Sequence, residues 1–174
     1  MKTHLFLAIC ITVLLVSCRK EAPFIPTNTI SVSIDGTTET FNRNLTATET
    51  KNGGVYILAI TGFNTPDFNS DNLQIEIHST SPITAGTYPI PTNEMGFHDS
   101  TLVYFVAGYS TYYSAVNATS PNSITVTRIT STAVQGTFNV TLTGPVASTT
   151  PSTYPNKTFT NGNFDVGIPQ NGNP

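Results

Sequence analysis

The chain has 174 residues, of which only 10% are charged, with seven basic residues against ten acidic ones and a net charge of −3. So sparse and scattered a set of Lys and Arg offers no patch for neutralising phosphates, and nucleic acid is therefore excluded as an expected partner. The two cysteines, Cys10 and Cys18, both fall near the N-terminus, and tryptophan is absent.

The first element is a targeting segment. Lys2 and His4 make a short polar start, and residues 5–16 form an apolar run interrupted only by Thr12. That run is too short to span a bilayer, which needs about 20 apolar residues. It closes on Leu15-Val16-Ser17-Cys18, which resembles the lipobox at which signal peptidase II cuts before a lipid-modified cysteine. The expectation is a cleaved lipoprotein signal peptide over 1–17, with the cut between Ser17 and Cys18 and diacylation (palmitate) of Cys18. The membrane is then a partner through that lipid. Cleavage leaves 157 residues (174 less 17), the size of one domain, with six basic residues against ten acidic ones and no thiol left for a disulfide.

Residues 18–28 carry Pro23 and Pro26 with few periodic apolar positions and read as an extended tether. Arg19 stands where an Asp would retain a lipoprotein at the inner membrane, so the outer membrane is the expected address. Arg19-Lys20-Glu21 is similar to the surface-export signal of Bacteroidota lipoproteins, with Lys20 and Glu21 as the matching pair and Ala22 where a second acid would strengthen it.

The domain is expected over 29–168. Ile30, Val32 and Ile34 alternate with Ser31 and Ser33, the period of a half-buried strand, and Asp35-Gly36 signals a hairpin turn returning through Thr37–Phe41. A strand over 45–50 and the turn Asn52-Gly53-Gly54 follow. Val55–Phe63 is apolar on both faces, as a mid-sheet strand should be. Leu73, Ile75 and Ile77 then alternate with Gln74, Glu76 and His78, the latter expected to face solvent. Further strands are predicted at 86–88, 102–107, with Gly108 as a bulge or tight turn, and 109–116.

Tyr104, Tyr109, Tyr112 and Tyr113 are read as packing residues, with sugar stacking the sharper alternative. Ile124 and Val126 open the next strand, and in 136–142 Phe138, Val140 and Leu142 should point inward. A Pro/Ser/Thr-rich loop over 144–157 should be exposed and mobile. Asn161-Gly162, between Thr158-Phe159 and Phe164-Val166-Ile168, predicts a type I′ hairpin. Residues 169–174 read as a disordered tail. The fold class is all-β, a single antiparallel β-sandwich or flattened β-barrel of about ten strands, mostly meander, with minimal helix.

The segments G-T-Y at Gly86, S-I-T-V-T-R-I at Ser123, G-T-F-N-V-T-L at Gly136 and N-G-N-F-D-V at Asn161 resemble, in this order, an array in uncharacterised Bacteroidota lipoproteins that share a domain of unknown function. The last two motifs are the most specific. The resemblance implies a lipid-anchored all-β envelope protein and supplies no catalytic residues or cofactor.

Residues with chemistry are few. The mature chain has no G-x-S-x-G elbow and no H-E-x-x-H zinc motif. Glu76, Glu94, Asp99 and Asp165 are the carboxylates from which a glycoside hydrolase would have to be built. Glu94, His98 and Asp99 sit close enough in sequence for a metal, and Asp67, Asn69 and Asp71 have the alternating oxygen spacing that begins a calcium loop. The latter pattern then fails: Asn72 replaces the turn glycine and His78 the bidentate glutamate, so a solvated loop is the plainer expectation. Sequons at Asn44, Asn117, Asn139 and Asn156 follow from Thr and Asn richness. Asp99-Ser100-Thr101 resembles a bacterial O-glycosylation acceptor, with Ser100 as the acceptor. The function expected is a non-enzymatic binding or structural accessory of the cell envelope, surface-exposed on the outer membrane. The alternative is a carboxylate hydrolase acting on envelope or dietary glycans.

Overall fold

A computed structural model of the chain describes residues 24–91, 100–106, 111–114, 122–144 and 156–169. The signal segment, Ser17, Cys18, Lys20, Glu21, Glu94, His98, Asp99, Tyr109 and the 144–157 loop from 145 to 155 lie outside the described residues. So do residues 170–174 of the tail.

Among the described residues, eleven strands run in order: β1 Thr29–Ile34, β2 Thr37–Phe41, β3 Arg43–Asn52, β4 Val55–Phe63, β5 Asn72–Ser79, β6 Gly86–Ile90, β7 Thr101–Val106, β8 Thr111–Ser114, β9 Asn122–Ile129, β10 Ala133–Leu142 and β11 Lys157–Gly167. No helix occurs among the described residues. Every pairing is antiparallel, in a six-stranded sheet of order β2-β1-β11-β10-β9-β6 and a five-stranded sheet of order β3-β4-β5-β7-β8. Six of the ten connections join neighbouring strands, so the order is mostly a meander, as expected. Chain ends β1 and β11 pair, and the connections β2–β3, β5–β6, β6–β7 and β8–β9 cross between sheets.

Strand alternation places Ile30, Val32, Leu58, Ile60, Leu73, Ile75, Ile77, Ile124, Phe138, Val140, Phe159 and Phe164 between the sheets, each 3% exposed or less. This single core is what the period-2 pattern demands: side chains at i and i+2 share a face, and only the apolar face can be covered. The sheets meet at the β2–β3 corner, where Asn42 alone separates the strands. A second join is an isolated bridge between Ser114 and Thr143, with N···O distances of 3.0 and 2.8 Å.

The Asp35-Gly36 turn has φ of +50° and +88°, and Gly53-Gly54 has +56° and +87°, both residues of each turn being left-handed as a type I′ hairpin requires. β7 and β8 pair antiparallel with Val106 opposite Thr111, and Gly108, expected as a bulge or tight turn, lies between them outside the described residues.

The Asn161-Gly162 expectation is corrected. These residues lie inside β11, an eleven-residue strand between β1 and β10, and form a β-bulge. The register slips on both sides, between Ser31 and Ser33 on β1 and between Phe138 and Val140 on β10. Asn161 takes a φ of +53°, but Gly162 does not join it in the left-handed region, so no reversal forms. Asn139 Oδ1 accepts the Asn161 N–H at 2.8 Å, satisfying the group that the bulge removes from the ladder. A Cβ on Gly162 would lie 2.5 Å from the Phe138 ring, so glycine lets that ring close over the bulge.

Of the expected tether, only residues 24–28 are described. Residues 24–28 are bonded to the sandwich: Thr27 donates to Asp165 Oδ2 from its N–H (3.2 Å) and its hydroxyl (3.0 Å). Asn28 Oδ1 accepts the Gly167 N–H at 2.9 Å, and the Arg128 guanidinium sits 4.8 Å from the centre of the Phe24 ring.

Candidate functional site

The outer face of the six-stranded sheet carries a row of short polar side chains. Registration aligns Thr87, Thr125, Thr137, Asn163, Ser31 and Thr40 in one row across all six strands. Neighbouring strands stand about 4.8 Å apart, so short hydroxyl and amide side chains follow one another at that interval. The Thr87 and Thr125 hydroxyls are 3.1 Å apart. β-branched Thr fits a pleated, exposed surface, which is why a sequence with few charges can build it.

Toward the β10–β11 end, this face dips into a shallow groove of about 210 Å³, lined by Asn122, Asn139, Thr141, Thr158 and Thr160, with parts of Val140 and Phe159. Two of its amides have structural duties. Asn122 is 4% exposed and holds both backbone polar groups of Thr141, donating to its carbonyl at 3.1 Å and accepting from its N–H at 3.0 Å. Asn139 holds the bulge. The remaining polar lining is the hydroxyls of Thr141, Thr158 and Thr160, with no ionisable side chain, so the groove offers hydrogen bonds to a neutral polar ligand.

The expected carboxylates separate. Glu76 alternates with the buried Ile75 and Ile77 and therefore lies on the outer face of the five-stranded sheet, while Asp165 alternates with Phe164 and Val166 on the outer face of the six-stranded one. The whole sandwich stands between them, whereas a glycosidase pair needs about 5–9.5 Å. Among the described residues, no group of three or more His, Cys, Asp or Glu side chains is placed to hold a metal.

In the calcium-like loop, Asp67 Oδ1 accepts the Asn69 N–H at 2.8 Å, an Asx turn. Asp71 accepts a hydrogen bond from the Tyr104 hydroxyl of β7. The two carboxylates thus serve different partners. His78 is not the solvent-facing residue expected: its side chain is 11% exposed, with Nε2 3.3 Å from Glu76 Oε2. Ser100 is 4% exposed and its Oγ accepts the His78 N–H at 3.2 Å, so a glycan at this hydroxyl would require the segment to open.

Tyr104 and Tyr113 are core residues, 5% and 7% exposed. The Tyr104 ring packs edge-on against Phe159 (5.5 Å between centroids) and Phe41 (6.3 Å), and tilted against Tyr113 (6.2 Å). Burial, then the bond to Asp71 and the negative charges of Asp71 and Glu39, push its phenol far above the ordinary tyrosine value. It is a neutral donor at any physiological pH. For Tyr112 only the strand position is described. Sequence reasoning passed over Asn122, Asn139 and Asn28, whose spacing to their partners carries no local signal.

Fold and surface together define a class: a two-sheet antiparallel β-sandwich with a row of hydroxyl and amide side chains on one outer face. Comparison of the chain with models of known protein families, with curated proteins and with solved structures found no match in any of the three.

Proposed function

We propose that this protein is a lipid-anchored accessory of the bacterial cell envelope, held in the outer membrane by acylated Cys18 and working without catalysis through the hydroxyl face of its six-stranded sheet. The lipobox-like Leu15-Val16-Ser17-Cys18 carries the anchored part of the reading. The row from Thr87 to Thr40, with its uncharged groove, supports the binding part, because such a face recognises by hydrogen bonding and shape. The similarity to Bacteroidota lipoproteins and the Lys20-Glu21 pair favour surface display.

Protease added to intact cells tests this reading. It should shave the domain from the wild type, and replacing Lys20 and Glu21 by alanine should protect it. Cys18→Ala should leave the signal uncut and the chain without lipid. A wild-type domain cut only after lysis faces the periplasm, and surface display is then abandoned. A processed Cys18→Ala protein that leaves the membrane fraction as readily as the wild type would remove the anchor itself.

A further inference from the structure

We propose that Asn52 is a site of spontaneous modification: the exposed Asn52-Gly53 step at the tip of the β3–β4 hairpin closes to a succinimide and reopens as aspartate or isoaspartate, while the same dipeptide at Asn161-Gly162 is kept as the amide by the sheet around it.

The chemistry is intramolecular. The backbone nitrogen of the following residue attacks Cγ of the Asn side chain, and the new N–Cγ bond closes a five-membered ring. The bond from Cγ to the amide nitrogen breaks, and ammonia leaves with the proton that the attacking nitrogen gives up. Water then opens the ring at either carbonyl, giving aspartate or, with the main chain rerouted through Cβ, isoaspartate. One water enters and one ammonia leaves, so neither an oxidant nor a second protein is needed. Holding nucleophile and carbon on adjacent residues supplies the proximity that a bimolecular reaction lacks. Glycine favours the attack because it has no Cβ to block the approach and its backbone turns freely. Within a folded chain, the rate then depends on whether that glycine nitrogen is free to swing toward Cγ.

At Asn52 it is. β3 ends at Asn52 and β4 begins at Val55, and these two residues pair, so Gly53 lies beyond the last rung of the ladder. Asn52, Gly53 and Gly54 are all exposed, and a Cβ on either glycine would meet nothing within 4 Å. β3 is moreover an edge strand, restrained by β4 alone within its sheet.

At Asn161 it is not. Gly162 is buried opposite Phe138 in the β10–β11 ladder, the Phe138 ring stands where a Cβ would go, and the Asn161 N–H is held by Asn139. Swinging the Gly162 nitrogen would displace a strand with neighbours on both sides, so ring closure there waits on opening of the sheet's interior.

The products change the hairpin. Aspartate at position 52 places a negative charge beside Lys51, whose Nζ lies 3.1 Å from the Tyr56 hydroxyl and 4.7 Å from its ring centre. Isoaspartate adds an atom to the main chain at the pair that closes the turn, which a two-residue type I′ hairpin does not accommodate.

The test incubates the purified full chain in mildly alkaline buffer and follows each Asn-Gly by peptide mapping. Fragment sequencing separates Asn161 from Asn171, whose Asn171-Gly172 step lies outside the described residues. In folded protein Asn52 should turn to acid severalfold faster than Asn161, with isoaspartate alongside aspartate. In urea the two should react at similar rates. Asn52→Gln, whose longer side chain disfavours the ring, should abolish acid formation at that position without lowering Tm. Equal rates at 52 and 161 in the folded chain overturn the inference. An Asn52 that stays an amide in folded protein while reacting in urea overturns it too, as does a difference that persists in urea, which would assign it to neighbouring sequence. Aspartate formed without isoaspartate would mean direct hydrolysis and remove the succinimide.

Discussion

Asp35-Gly36 and Asn161-Gly162 are the same kind of dipeptide, and the chain uses them oppositely. In each, the Asx residue is left-handed, with φ of +50° and +53°. At Asp35 the glycine follows into positive φ and the chain reverses; at Asn161 it does not, and the strand runs on past a bulge. An Asx-Gly pair therefore encodes one left-handed residue, and the surroundings decide what is made of it. Around Asn161 they are two flanking strands, an Asn139 side chain that accepts the displaced N–H, and a Phe138 ring above Gly162. Around Gly36 an added Cβ would meet nothing within 4 Å.

The largest effect that tests this contrast should come from Phe164→Ala. The bulge switches strand parity, so that Phe159 before it and Phe164 after it both point inward, each fully buried. Removing the ring should cost about 3–5 kcal/mol in urea unfolding, a large share of a domain's stability. A midpoint unchanged from wild type would take Phe164 out of the core and the bulge register with it.

The paired glycine variants come next. Gly162→Ala must push the Phe138 ring aside and should cost about 1–3 kcal/mol by overpacking. Gly36→Ala meets no neighbour and suffers only backbone strain, about 1 kcal/mol. Equal destabilisation in thermal melts would mean that position 162 is as open as a turn, and the hairpin reading would return.

At the small end is calcium. Because Asp67 and Asp71 answer to different partners, millimolar calcium should leave Tm unchanged, since only an ion that binds the folded state raises it. A rise that disappears in Asp67→Ala would make the loop a cation site after all.

The all-β class, the strand alternation and the inward set Phe138, Val140 and Leu142 were legible because burial on one face imposes a period on the residues themselves. The bulge was not. A two-residue hairpin at Asn161-Gly162 would also have set Phe159 and Phe164 on one face, so the apolar pattern fits either arrangement and only the third strand, β1, separates them. His78 was misplaced for a related reason: alternation says which face a residue is on, not whether that face is wet. The candidate site was legible only as composition. That Thr87, Thr125, Thr137, Asn163, Ser31 and Thr40 form one row depends on registers between strands up to 132 positions apart in the chain. The bonding of Thr27 to Asp165 was hidden likewise, because the two are 138 residues apart.

The sandwich's joins also bear on how copies of the chain meet one another. Of the four edge strands, β2 and β3 adjoin at their shared corner, and β8 is tied to Thr143 at the end of β10. The fourth, β6, has five residues, one of them Pro89, which has no N–H to offer an incoming strand. An edge this short, interrupted by proline, recruits no strand from another copy, so molecules that meet in similar orientations remain separate and do not grow into shared sheets.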